Sequence, residues 1–290
     1  MKTYAKKKIN TKKTRKKFNY LKCAPLQKKM VDSRLKDKTC YSNKTLFMLR
    51  DEYNKKKENK KISSNDPYII WNLLKKYNTE CLNEKCWIKN EKFNKLEYFR
   101  PKSPKTWINN PYTWLDSNDI IKVMNQYEKK YKDFKFIGPS PIDFDDKKMF
   151  GECIWEELCN FNLIDMIKKK IYKLGIILNL DPHYKGGSHW VAIFIDVKNK
   201  FIFYFDSNGK RPNLRIKNFI KRVKEQGKNY KLKYYDNFNF VHQKKDGQCG
   251  MYCLYIIIKL LRQEKKPLEL KNIRISDEEM RDYRKIYFNS

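Results

Sequence analysis

Cys249 stands in Gln248-Cys249-Gly250, directly before the longest apolar run of the chain, Met251 to Ile258. A thiol at the mouth of a helix has the setting of a nucleophile, because the helix N-terminus favours the negative charge of a thiolate. Gly250 lets a substrate backbone come close. Taken alone, a cysteine before an apolar helix is most often core packing. Cys253, one turn deeper in the same run, is the built-in comparison and reads as structural. Upstream company sets Cys249 apart. The chain has three histidines, His183, His189 and His242, all within 66 residues of it. A thiolate, a base beside it, a group that orients the base and donors for an oxyanion together make up the machinery of acyl transfer through a thioester.

His189 opens the segment HWVAIFIDVKNKFIFYFDSNG, residues 189–209. A lone histidine at a strand end is more often a surface residue, but this one has a register to test. Two apolar segments, Trp190–Ile195 and Phe201–Phe205, flank the polar stretch Asp196–Lys200 and predict a β-hairpin. A turn centred near Lys198–Asn199 sets position 191 opposite position 206. Asp206 then lies at the same end of the hairpin as His189, where a carboxylate can hold the imidazole. Asp196 lies seven residues along the strand from His189, roughly 23 Å away at the usual rise, and is out of reach. Asp206 also begins DSNG, so it has a plain reading as a turn residue.

Gln243 precedes Cys249 by six residues in HQKKDGQCG. Its side-chain amide can donate to an oxyanion beside the Cys249 backbone N–H. Gln248 is the second candidate for that role.

These residues need elements to position them. Residues 1–17 read as a basic, disordered tail, with nine Lys/Arg and no apolar periodicity. Residues 18–103 read as a mostly helical accessory domain. Helices are expected over 45–53 and 68–77, the second started by Pro67. A proline-bearing boundary at 100–111 leads into a core domain, residues 104–290. There Asp116 or Ser117 caps a helix with a stripe of Ile120, Ile121, Met124, Tyr127 and Tyr131. Strands are expected at 134–137, stopped by GPSP, at 174–180, and within 231–241; a helix is expected around 213–226. Both hairpin segments are apolar nearly throughout, which predicts a pair covered on both faces. The helix from Cys249 is apolar on almost every side and is expected in the core.

With these motifs in order, the chain resembles the SUMO-protease and adenovirus-protease clan of cysteine proteases. The resemblance rests on His189-Trp190, then Asp206, then Gln243-x5-Cys249-Gly250, and on WLDSNDI at 114–120, which is similar to the helix start opening that fold. It is nearest to the virion polyprotein-processing proteases of large cytoplasmic DNA viruses, that of African swine fever virus among them. The resemblance covers about residues 107–262. It implies an α+β, papain-like core: a central mixed sheet flanked by helices, with the nucleophile at the start of a buried helix and an N-terminal helical arm. It implies His189, Asp206 and Cys249 as catalytic residues, and Gln243 and Trp190 as oxyanion and substrate contacts. Many cellular members carry Asp before the nucleophile; here it is Gln248. The implied role is cleavage of viral structural polyproteins, capsid or core-shell, after small residues such as Gly-Gly or Ala-Gly, in the virion and the host cytoplasm. Removal of a ubiquitin-like modifier is the alternative, and a basic virion structural protein with a degenerate protease fold is another.

Composition frames the rest. Lys+Arg total 66 against 33 Asp+Glu in 290 residues, a net charge of +33. Such a field attracts polyanions, and double-stranded DNA is an expected partner; the resemblance to adenovirus protease implies DNA as a possible activator. An AT-rich genome also enriches Lys, Asn, Ile and Tyr, though it does not explain why Lys outnumbers Glu. No cofactor and no metal are expected: Cys81-x4-Cys86 lacks the spacing of a tight zinc knuckle, and every histidine lies far downstream. No signal peptide and no membrane segment are read, so all eight cysteines are expected as free thiols in a reducing compartment.

Overall fold

The computed structural model describes residues 17–26, 32–57, 59–88, 98–245 and 247–289. The basic stretch 1–16 lies outside the described residues. The chain divides into two compact units: 17–21 with 32–88, and 22–26 with 98–289.

The first unit is helical. α1 (Asn43–Lys56) starts where the Ser42 side chain accepts the Thr45 N–H, and α2 (Pro67–Tyr77) starts with Asp66 as cap and Pro67 in the first turn. Trp71 and Tyr41 pack around a buried carboxylate, Glu84, which the Trp71 indole N–H and the Cys40 backbone N–H both reach. Burial holds Glu84 up to about 7 despite these donors. Cys81 and Cys86 are joined by a disulfide in this unit, as are Cys153 and Cys159 in the other. The expectation of free thiols is corrected at these four positions and at Cys23 and Cys40, which are disulfide-bonded as well. In the 81–86 and 153–159 pairs, separations of 5 and 6 residues across tight turns bring the Cα atoms to 5.5 and 6.2 Å, inside the range a disulfide spans. Cys249 and Cys253 are free.

The second unit is built on one five-stranded sheet: β1 (Phe134–Ser140), β2 (Lys173–Asn179), β3 (Trp190–Asp196), β4 (Phe201–Phe205) and β5 (Lys233–Asp236), in that spatial order. The outer pairs β1–β2 and β4–β5 are parallel; β2–β3 and β3–β4 are antiparallel. This is the mixed α+β sheet that the sequence implies. β1 runs three residues beyond the expected stop, through Gly138 and Pro139 to Ser140. Such an extension suits an edge strand, where a proline forfeits no ladder bond.

Period-2 alternation divides the central hairpin between two cores. Trp190, Ala192, Phe194, Phe201, Phe203 and Phe205 face α3 (Ser117–Lys130), α7 (Cys249–Leu261) and α9 (Asp277–Tyr287). Val191, Ile193, Ile195, Ile202 and Tyr204 share the other core with α4 (Glu156–Cys159), α5 (Leu163–Lys168) and α6 (Leu214–Gln226). Every residue of α7 except Lys259 is buried. A short α8 (Pro267–Asn272) links α7 to α9. No helix among the described residues is long and apolar enough to cross a membrane.

Candidate active site

The β3–β4 ladder pairs Ala192 with Phe205, and one step further along that register position 191 faces 206. His189 and Asp206 therefore sit at one end of the hairpin, as its apolar pattern predicts. The His189 Nε2 lies 2.8 Å from Asp206 Oδ1. Asp196 occupies the opposite end, where it accepts the Asn199 backbone N–H at 2.9 Å and caps the turn.

Asp206 is 1% exposed and is held from several directions. The Asn208 N–H donates to the same Oδ1 at 2.8 Å. β5 ends at Asp236, and the next side chain continues its ladder: Asn237 Oδ1 accepts the Asp206 N–H at 3.0 Å while its Nδ2 donates to Asp206 O at 2.7 Å. That two-way bond copies a strand pair past the strand's end. Asn237 carries no sequence signal, because nothing in DNFNF marks one asparagine as a strand surrogate.

The nucleophile arrives from the other layer. Gly247 has φ +85°, and a Cβ there would collide with the Tyr112 carbonyl, so the turn before α7 requires glycine. Gln248 is the N-cap residue, and its side chain makes no capping bond. Among the described residues, no side chain caps the first backbone N–H groups of α7, that of Cys249 included.

Among the described residues, one histidine alone meets a free cysteine. His189 counts Asp206 and Cys249 as its side-chain partners. Burial alone would push the imidazole down, but the two partners outweigh it and hold it up to about 9. With Nε2 on Asp206, Nδ1 is the nitrogen left for Cys249. His183 pairs instead with Asp143 at 2.7 Å, with its side chain half exposed. His242 is fully buried, accepts the Ile275 N–H and is driven by desolvation to about 4, so it stays neutral. Burial also pushes the Cys253 thiol well up, which leaves it inert.

A cleft of about 250 Å³ opens over this group, lined by Trp114, Leu180, Ser188, His189, Asn208, Lys210, Gln243, Gly247 and Cys249. Gln243 is tied into its wall. Its Oε1 accepts from Ser207 Oγ at 2.8 Å, and one Nε2 proton goes to Lys245 O at 2.8 Å. An amide nitrogen has two protons, so one remains for a ligand. Gln248 points elsewhere: its Oε1 accepts from Arg284. Trp190 is not among the cleft-lining residues. Its ring is buried beside Gly250, and its indole N–H donates to Leu115 O at 3.1 Å. Trp114, 44% exposed, is the tryptophan that the cleft presents. A larger cavity of about 680 Å³ lies away from these residues, against α6 and β5. Its charged lining is Arg211, Lys217, Lys221, Lys224 and Lys228 with the carboxylates Glu225 and Asp236, a basic excess of three.

Residues 125–290 match the model of the Ulp1 protease family, C-terminal catalytic domain. The chain belongs to the Ulp1 protease family. That is a family of cysteine proteases, and the match takes in His189, Asp206, Gln243 and Cys249. A protein of Acanthamoeba polyphaga mimivirus described as a thiol protease is 34% identical over 182 residues, covering 61% of this chain and 57% of its own length. The SUMO-1 cysteine protease of African swine fever virus is 31% identical over 192 residues, covering 59% of this chain and 66% of its own length. The chain thus spans less than two thirds of either relative. The crystal structure of the African swine fever virus protease superposes with a TM-score of 0.63 at 22% identity, covering 94% of this chain and 97% of that one. The fold is the Ulp1-type protease fold that the motifs imply.

Proposed function

We propose that this member of the family is a cysteine endopeptidase that processes viral structural polyproteins, capsid or core-shell, during virion maturation. The observation that carries the reading is His189, with a buried carboxylate on one ring nitrogen and Cys249, at a helix mouth, as its other partner. Cys249 gives its proton to His189, and the thiolate attacks the scissile carbonyl carbon. The carbonyl electrons move to oxygen, where the Cys249 N–H and the free Nε2 proton of Gln243 receive them. Asp206 holds the imidazolium in place while His189 protonates the leaving amine and the C–N bond breaks. Water, deprotonated by His189, then attacks the thioester and frees the acid and the thiol. All of this is proton and acyl transfer by side chains, with no step that calls for a metal or cofactor.

A small cleft with Trp114 against Gly247 supports a preference for small residues, Gly-Gly or Ala-Gly, before the cut. The family match and the description of the African swine fever virus relative as a SUMO-1 cysteine protease favour a second reading, a ubiquitin-like isopeptidase. Incubation with virion precursor proteins and with modifier fusions, followed by sequencing of the new N-termini, separates the two. New termini after Gly-Gly or Ala-Gly within precursors support the first. Cuts at the modifier junction alone replace it with the second, and no cut in either overturns both. The polyprotein reading places the protein in the virion and the host cytoplasm.

The pH profile tests His189 directly. An imidazolium held up to about 9 keeps its proton for the leaving amine until the pH passes that value, so kcat/KM is expected to fall above about pH 9. Asp206→Asn removes a negative neighbour that raises the imidazole, so the alkaline limb is expected to move to lower pH. An unmoved limb in an active variant means that His189 is not the titrating group.

Double-stranded DNA is proposed as a second partner and possible activator, supported by the net charge of +33 and by the basic rim of the α6–β5 cavity. Six to ten phosphate contacts are expected to lose roughly 10³–10⁵ in affinity between about 50 and 200 mM salt. Deletion of residues 1–17 is expected to flatten that slope. If neither full-length nor truncated protein binds at about 50 mM salt, the DNA proposal fails and the protease reading stands.

A further inference from the structure

α9 turns one face to the segment that carries Cys249. Asp277 and Arg284 are seven positions apart, so they lie on the same side of the helix. Asp277 accepts the Lys244 and Lys245 backbone N–H groups at 3.0 and 3.1 Å, and the Tyr252 hydroxyl at 3.1 Å. Arg284 spreads its guanidinium over three acceptors. Nε donates to Gln248 Oε1 at 3.0 Å, Nη1 to Thr113 O at 2.9 Å and Nη2 to Gly247 O at 2.8 Å. The residue is 3% exposed, and its Cζ lies 4.4 Å from the centre of the Trp107 ring. All three acceptors are neutral. A guanidinium in that setting keeps its field for an anion nearby, and two of its anchors are the residues that directly precede Cys249.

We propose that Arg284 is a positioning residue for Cys249: its fork fixes the Gly247–Gln248 turn that aims the thiol, and its charge stands ready for the anion formed there. The proposal rests on the reading of Cys249 as nucleophile. The glycine turn at 247 has no slack against Tyr112, so the fork sets its carbonyl direction and with it the first N–H of α7. Burial lowers the guanidinium to about 10, against the upward pull of Cys249 and Tyr112, and it stays charged at neutral pH. The charged and titratable groups that interact with Cys249 are His189, Cys253 and Arg284, with Asp206 behind His189 and Lys210 on the wall of the same cleft. Those facing Arg284 are Cys249 and Tyr112, with Arg281 on the Tyr112 hydroxyl.

The test is the rate of Cys249 alkylation by iodoacetamide against pH, with kcat and KM on a peptide substrate, for wild type, Arg284→Gln and Arg284→Lys. Arg284→Gln removes the charge, so its alkylation profile is expected to move up by about one pH unit. Its kcat should fall roughly tenfold to a hundredfold, with KM little changed. Arg284→Lys keeps the charge and loses the three-way fork. It should keep the wild-type alkylation profile and still lose kcat. A role in folding alone lowers the melting temperature and leaves the alkylation profile where it was; that result in either folded variant, with kcat also unchanged, overturns the proposal. Should wild-type Cys249 react no faster than Cys253, the nucleophile assignment fails instead.

Discussion

Cys249→Ala is expected to abolish peptide cleavage, with kcat down by about 10⁴–10⁶ in a protein that still folds. The magnitude follows from what is removed. Without the sulfur there is no thioester, and His189 has nothing to deprotonate but water. Cys253→Ala makes a sharp control on the same helix. It deletes one fully buried sulfur from the core, costs about 1 kcal/mol of stability and leaves turnover near wild type. Comparison of kcat with melting temperature for the two variants tests the assignment. Normal turnover in folded Cys249→Ala would falsify the protease reading.

Asp206→Ala is expected to cut kcat by roughly 10³–10⁴, because the imidazole loses both its anchor and the charge that stabilises its protonated form. Asp196→Ala is the matching control at the far end of the same hairpin. It should cost about 1 kcal/mol through the lost Asn199 bonds, and turnover should hold. The opposite pattern, with Asp196 essential and Asp206 dispensable, means that the wrong carboxylate has been assigned to His189. Asp206→Asn is expected to fall between wild type and alanine, since an amide oxygen still accepts from the imidazole N–H.

The hairpin and its register were legible because alternation and turn chemistry are local: the apolar segments, the polar turn at 196–200 and the position of Asp206 all follow from neighbouring residues. α7 was legible because its apolarity on every side has one physical outcome. The remaining features depend on distant partners. The stretch SDEEMRDYRKIY carries a capping box, Ser276 with Glu279, that local reading could have found and did not use. That its Arg284 would end in the wall behind Cys249 depends on how α9 folds back, which no spacing reveals. Trp190 shows the converse. Its place beside His189 suggests contact with substrate, yet strict alternation turns its side chain away from the cleft and into the core, and Trp114 takes the exposed position. The disulfides at 81–86 and 153–159 are decided by Cα separations of 5.5 and 6.2 Å, a geometry that cysteine spacing alone does not reveal.

The two-faced burial of β3 and β4 has an effect on how such a protein can change over time. His189 and Asp206 project from the end of a ladder clamped by apolar layers on both sides, so their separation is set by the packed core. Three of the other residues around the cleft, Ser188, Asn208 and Lys210, belong to loops that cross that end and are absent from both apolar layers. Substrate preference can therefore drift by loop substitution while the proton-transfer geometry stays put. Grafting the 181–188 and 208–212 loops from a relative of different specificity should carry the specificity with them and leave the rate of acyl transfer close to its starting value.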